Sequence, residues 1–287
     1  MQVIASAAPQ TGWPGALNPP IYLISALPGL GVLLLAGSST PWSAGLLLGT
    51  LAVILLQHAI NLLNDVSDWR LGADVEKFDS WVRVHGEDIR RASLHGLISA
   101  LAGTVLGIGL LAWSGRLWIL LIAAPMVLLG YLYNAGPRPL SYTFLGEWVT
   151  GLCYGPGVFG CLWLLAGLPL QAATLFGAVA FAALAMALLL SHQPPQIETD
   201  RAAGKHSYAV RFGAYRTRQT ARWLVVLFIV SLGAGIAVNK PAPATVILFP
   251  VIALAVMVFL WRTRPNPRRI LLPSTGIIIA GLLASQL

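Results

Sequence analysis

The chain has 287 residues, 57% of them hydrophobic and only 10% charged, with a positive mean hydropathy. An ordinary soluble domain carries about 25% charged residues, so a water-soluble globule is excluded as the main reading and the bilayer is the expected solvent. Two cysteines without a CxxC exclude a disulfide scaffold and argue against a zinc or redox motif, and Cys153 and Cys161 read as small apolar residues within a span. The net charge of +8 is interpretable only once it is located along the chain.

Uncharged runs long enough to cross about 30 Å of hydrocarbon mark the spans in chain order. Met1 to Asn64 contains no Asp, Glu, Lys or Arg, and its two apolar stretches, Ile21 to Gly37 and Ala44 to Asn64, are parted by the turn-like Ser38-Ser39-Thr40-Pro41. Ala92 to Gly115 and Leu117 to Pro137 each fit one crossing, with Arg116 at the turn between them. Trp148 to Ile197 is uncharged and broken by Gly167-Leu168-Pro169, which makes two spans. Trp223 to Asn239, Pro241 to Trp261 and Ile270 to Leu287 complete an expected all-α protein of nine transmembrane helices.

With nine spans, one side carries the N-terminus and the loops near 65–91, 135–142, 194–222 and 262–269. These segments hold 16 of the 18 Lys and Arg residues, leaving Arg116 and Lys240 opposite. Cytoplasmic loops retain such an excess, so a multi-pass protein of the cell inner (cytoplasmic) membrane is expected, its N-terminus cytoplasmic and its C-terminus on the opposite side. The positive charge is thereby mostly topological, and a nucleic-acid partner is not expected. The uncharged N-terminus lacks the basic start of a signal peptide, so the first span is expected to be retained.

The ten acids are gathered where the basic excess does not require them. Asp65, Asp68, Asp74, Glu76, Asp79, Glu87 and Asp88 share one loop, Glu198 and Asp200 lie in another on the same side, and Glu147 stands alone. Gln57, Asn61, Asn64, Asp65 and Asp68 fall at i, i+4, i+7, i+8 and i+11, one helical stripe that in lipid must face the bundle interior or a water-filled cavity. Asn64 and Asp68, at i and i+4, can point oxygens at one hard cation, and Gln196 and Asp200 repeat that spacing. Interhelical hydrogen bonding without chemistry remains the competing reading of the stripe. Glu76, Asp79, Glu87 and Asp88 read as solvated loop charges. For Glu147, a structural partner such as Arg138 and a substrate contact stay equally open. His58 and His95 read as satisfied bundle histidines without catalytic weight.

Arg70, Lys77 and Arg83 follow the first acidic cluster, and Arg201, Lys205 and Arg211 follow the second. Carboxylates, Mg²⁺ and cationic side chains together hold a diphosphate and stabilise departing pyrophosphate, and in a membrane this points to a lipid diphosphate.

Asn64-Asp65-Val66-Ser67-Asp68 with Gly72 and Asp74 resembles the first Asp-rich motif of the UbiA superfamily of intramembrane prenyltransferases. Ile197-Glu198-Thr199-Asp200-Arg201-Ala202-Ala203-Gly204-Lys205 resembles the second. With Tyr133, Gly136-Pro137, Pro139-Leu140, Leu145-Gly146-Glu147 and Arg211-Phe212-Gly213, the chain is most similar to the MenA branch, which prenylates 1,4-dihydroxy-2-naphthoate on the way to menaquinone. The resemblance covers nearly all of residues 1–287 as a single domain. It implies a nine-helix bundle with a cytoplasm-facing cavity, in which two Mg²⁺ ions bind a polyprenyl diphosphate and an aromatic acceptor attacks the allylic cation. By the same resemblance Asn64, Asp65, Asp68 and Asp74 bind metal, Asp200 supplies the second metal site, and Asp65, Asp68 and Asp200 are the catalytic acids. Arg83, Arg201 and Lys205 are then diphosphate contacts, and Gln57, Asn61 and Tyr133 complete the substrate site. Tyr131, Tyr133 and Tyr154 either stabilise the cation or simply pack. Gln196 stands where the family usually has an Asp, so the second metal needs the Gln196 carbonyl or help from Glu198. The double proline Pro194-Pro195 is expected to interrupt regular helix there. A terpene cyclase, or a prenyltransferase for another aromatic acceptor, is the alternative on the same fold. A transporter is a remote one, since the clusters sit at one face and not at the midplane. The dense acidic pattern of CDP-alcohol transferases is absent.

Overall fold

The computed structural model describes residues 12–37, 39, 41–72, 79–134, 136, 139–239 and 242–285. Among these residues the regular structure is helical and no strand occurs. In chain order the helices are α1 (Trp13–Leu17), α2 (Leu23–Leu35), α3 (Ser43–Leu71), α4 (Trp81–Val84), α5 (Ile89–Trp113), α6 (Leu120–Asn134) and α7 (Gly146–Leu152). A π-helical stretch, Cys153–Gly160, leads into α8 (Cys161–Leu165). Then come α9 (Ala172–His192), α10 (Ile197–Ala202), α11 (Tyr208–Ala237), α12 (Pro243–Arg262) and α13 (Pro267–Ala284). Nine stretches of the described residues are long and apolar enough to cross a bilayer, matching the expected spans one for one.

Several helices outrun their apolar windows. The span expected to end at Asn64 continues to Leu71 and so carries Asp65 and Asp68 on rigid helix. Gly72 then stops it in the left-handed conformation (φ 79°), its N–H closing on the carbonyls of Asp68 and Trp69. The span expected to begin at Trp223 starts at Tyr208, with a kink at Gly213. Pro194–Gln196 forms a short 3₁₀ turn between α9 and α10, the interruption expected of the double proline.

Lipid outside the bundle is as apolar as the core, so association rests on close packing and a few interhelical hydrogen bonds. Phe159 stacks on Phe181 at 5.2 Å, and Phe181 meets Phe228 edge-on at 6.0 Å, joining the π-helical stretch, α9 and α11. Gly177 admits this cluster, because a Cβ there would stand 2.1 Å from Cζ of Phe159. Ser99 Oγ donates to the carbonyl of Leu55, and Asn134 Nδ2 to that of Ile60, fastening α5 and α6 to α3. Substituting Gly177→Val is expected to destabilise the bundle by about 1–3 kcal/mol through overpacking. Thermal unfolding in detergent measures this, and an unchanged midpoint would show that the rings yield at no cost.

Candidate active site

The last turns of α3 and the segment following α10 meet at one end of the bundle. Asp68, 2% exposed, accepts hydrogen bonds from Nδ2 of Asn64 at 3.0 Å and from the Tyr142 hydroxyl at 2.9 Å. Nζ of Lys205 lies 3.0 Å from both of its carboxylate oxygens. The same ammonium is 3.9 Å from Oδ1 of Asp200, whose Oδ2 accepts from the Ser207 hydroxyl at 3.0 Å. Local geometry makes this possible. Gly204 turns the chain (φ 74°), the Lys205 N–H bonds the Asp200 carbonyl at 2.8 Å, and the His206 N–H bonds the Tyr142 carbonyl at 3.0 Å. The turn folds Lys205 and Ser207 back over Asp200 and pins them beside Tyr142, whose ring also lies 4.7 Å beneath the ammonium.

Two buried carboxylates from distant parts of the chain thus point at one cationic group. Hard oxygen donors converging in this way suit Mg²⁺, which takes one or two carboxylates and completes its shell with water and substrate phosphates. Asn64, Asp68 and Asp200 are the described residues that fit this role. Among the described residues no group of three or more His, Cys, Asp or Glu side chains is placed to hold a metal ion.

Other expected site residues divide sharply. Asp65 is buried and takes the Trp81 N–H on Oδ2 at 2.7 Å, anchoring α4 against α3. Arg83 on α4 lies over the Trp69 ring at 5.6 Å and 3.9 Å from Glu87. Gln196 is half-buried, and Asp74 lies outside the described residues. Glu198 and Arg201 pair with each other at 3.0 Å on an exposed face, their side chains 83% and 56% exposed. At about 100° per residue on a helix, a position two before Asp200 points roughly the opposite way, so burying Asp200 turns Glu198 outward. Tyr131 also faces outward at 57% exposure. Glu147 resolves as structural, since its Oε1 accepts from Gln193 Nε2 and the Tyr208 N–H, both at 2.9 Å, while its suggested partner Arg138 lies outside the described residues. Tyr142, Ser207 and Gln193 were not singled out in sequence. A lone Tyr, Ser or Gln carries no spacing signal, and their roles arise from contacts between remote segments.

Beside this charged end lies a cavity of about 350 Å³. Gln57, Asn61, Tyr133 and His192 give it polar groups near the carboxylates, and deeper residues such as Leu111 and Ile119 make it apolar. From Asn61 to Gly49 it follows α3 for twelve residues, roughly 18 Å at the helical rise. The π-helical stretch lines one wall with Tyr154, Gly157 and Val158, and Tyr154 hydrogen-bonds Ser25 at 3.3 Å. Wide turns of this kind recur at functional sites, where they re-aim side chains.

Fold and site together define a polytopic membrane protein with a buried carboxylate–lysine cluster near a largely apolar cavity. The UbiA prenyltransferase family model matches residues 22–273, and the chain belongs to that family. It is 31% identical over 252 residues to a chloroplastic 2-carboxy-1,4-naphthoquinone phytyltransferase of Arabidopsis thaliana, covering 82% of this chain and 64% of the relative. A 2-carboxy-1,4-naphthoquinone phytyltransferase of Synechocystis is also 31% identical, over 88% of this chain and 83% of its own. The fold matches a UbiA homolog from Archaeoglobus fulgidus bound to GPP and Mg²⁺, with a TM-score of 0.67 at 18% identity over 96% of this chain and all of the other.

Removing the Glu147 carboxylate would strand the Gln193 amide and the Tyr208 N–H. Glu147→Ala is therefore expected to cost about 2–3 kcal/mol of stability. Thermal unfolding would show it as a lowered midpoint, and a midpoint equal to wild type would contradict the structural role.

Proposed function

We propose that the protein transfers a polyprenyl group from a polyprenyl diphosphate to an aromatic acceptor of the 1,4-dihydroxy-2-naphthoate type. The observation that carries this is a largely apolar cavity whose polar end, at Asn61 on α3, lies about two helical turns from the buried Asp68–Lys205–Asp200 constellation. An apolar slot alone would suit many lipids, and carboxylates alone many cations. Their union suits a diphosphate head carrying an isoprenoid tail. The similarity to naphthoquinone phytyltransferases supports the acceptor class.

Asn64, Asp68 and Asp200 would hold Mg²⁺, which supplies the positive charge that a departing pyrophosphate requires. Lys205 adds an ammonium at the same point, and Arg83 is the further diphosphate contact. Tyr142 and Ser207 hold the two carboxylates in place by donating to them. Asp65 acts one step away, fixing α4 through the Trp81 N–H. Gln57, Asn61 and Tyr133 line the cavity's polar part, where an acceptor ring can lie beside the allylic carbon, and Tyr154 presents a ring further along the wall. The apolar walls keep water from the allylic centre, so the aromatic nucleophile meets no competing one. The excess of Lys and Arg on the side bearing both acidic motifs supports a cytoplasm-facing site in the inner membrane.

Purified protein with Mg²⁺, geranylgeranyl diphosphate and dihydroxynaphthoate should release pyrophosphate and prenylated naphthoquinol, and chelation should stop it. Asp68→Ala and Asp200→Ala should each lower kcat by at least about 10²-fold, the scale of losing one electrostatic contact to the transition state. Glu198→Ala and Arg201→Ala, which break an exposed pair worth about 0–1 kcal/mol, should stay within a few-fold of wild type. Full turnover by Asp68→Ala would remove the site assignment. A prenyl product formed equally well without acceptor would replace transfer by cyclisation.

A further inference from the structure

Three of the chain's five histidines form one hydrogen-bonded row. The Tyr22 hydroxyl is 2.6 Å from Nδ1 of His58, His58 Nε2 is 3.2 Å from Nε2 of His95, and His95 Nδ1 is 3.1 Å from Nε2 of His85. The row begins one residue back from the cavity wall: Ile21, Gln57 and Asn61 line the cavity, Tyr22 adjoins Asn61, and Gln57 bonds the Ile21 carbonyl at 3.4 Å. It ends at His85, just beyond α4, outside the spans. Trp13 and Trp81 enclose it, with Trp81 edge-on to His58 at 5.0 Å and to His95 at 5.3 Å, and Trp13 over His95 at 5.2 Å.

The geometry is not that of a metal site. His95 spends its two ring nitrogens on two different histidines, so the three rings share no common focus. It is instead satisfied by neutral tautomers running in either direction, of which one set starts from Tyr22 as donor. Tyr22 O–H donates to His58 Nδ1, His58 Nε2–H to His95 Nε2, and His95 Nδ1–H to His85 Nε2, which leaves His85 Nδ1–H at the outer end. Every donor but the outermost, His85 Nδ1–H, then has an acceptor within the row, and all hydrogens run the same way. The charged groups nearest the row are Arg91 and Asp88 beside His85, and Asp65 towards Tyr22. Burial and the Arg91 charge hold the His85 imidazole below its usual pKa, which favours the neutral form.

Resting on the prenyl-transfer reading above, we propose that Tyr22, His58, His95 and His85 are a proton relay for the acceptor's ring hydroxyl. As the ring carbon bonds to C1 of the prenyl group, the C1–O bond breaks and its electron pair leaves on pyrophosphate. The hydroxyl's O–H pair becomes the second bond of a carbonyl, and its proton passes to the Tyr22 oxygen. Tyr22 passes its own hydrogen to His58, His58 to His95, and His95 to His85, which releases one to water. The alkylated ring carbon then gives up its hydrogen as a proton to water or its carboxylate as CO₂, leaving the electron pair to restore the ring. The carbonyl oxygen recovers a proton through the same row in reverse, which resets every tautomer. These are positioning and relay residues, not metal or diphosphate contacts.

His95→Gln keeps hydrogen-bonding capacity but cannot hand a proton onward, so it separates relay from packing. It should lower kcat by about 10²-fold, the lower scale of acid–base contributions, with KM for both substrates and the unfolding midpoint close to wild type. The wild-type solvent deuterium effect, with a curved proton inventory, should disappear in His95→Gly and return with added imidazole. Independently of turnover, ¹⁵N-histidine NMR of the full-length protein in detergent at neutral pH should show hydrogen on Nε2 of His58 and on Nδ1 of His95 and His85. Wild-type kcat in His95→Gln, or an imidazolium within the row, overturns the relay whatever reaction the protein runs. The stated tautomers in a protein that forms no prenyl product would support the row and count against the prenyl-transfer reading alone.

Discussion

Charge pairing at the edge of an apolar bundle is the constraint on which the structure depends. Asp68 and Asp200 are almost fully buried where desolvating an unpaired carboxylate costs several kcal/mol. Lys205 between them, with Asn64, Tyr142 and Ser207 around them, makes that burial tolerable. Removing the ammonium alone takes away the cation that both carboxylates share. The segments from α3, from the stretch before α7 and from the turn after α10 are therefore held in one arrangement, and a strong electrostatic site exists before any substrate arrives.

That rigid head complements the adaptable, apolar remainder. The cavity descends beside α3, while the Phe159–Phe181–Phe228 cluster fills the core between the π-helical stretch, α9 and α11. The glycines and prolines that look like weaknesses in a helical sequence give the close approaches and the widened turn that this shape needs. Gly177 admits the Phe159 ring, and Pro156 lies in the π-helical wall of the cavity. The histidine row adds a second polar path, separate from the carboxylates and leading from the cavity's polar rim to the bundle's edge.

Much of this was legible in one dimension because its physical signals are local. Nine uncharged runs match nine spans, since hydrocarbon tolerates no charge over a crossing length. The polar stripe from Gln57 to Asp68 faces inward because its spacing follows the helical turn. Neighbours in sequence are not always neighbours in space. Glu198 and Arg201 belong to the same motif as Asp200, yet helical rotation carries them to the exposed face, where they satisfy each other. His58 and His95 are satisfied bundle histidines as expected, yet neither shows a spacing that announces the other or His85.

By itself, then, the sequence determined the solvent, the number of crossings and the helix ends that bear acids, because hydropathy and helical periodicity act within about twenty residues. Tertiary structure alone decided which carboxylates share a cation and which tyrosine and serine hold them. It also decided that three separate imidazoles stand in line. The physical reason is that hydrogen bonds and ion pairs act over about 3–4 Å, and only packing brings remote segments that close.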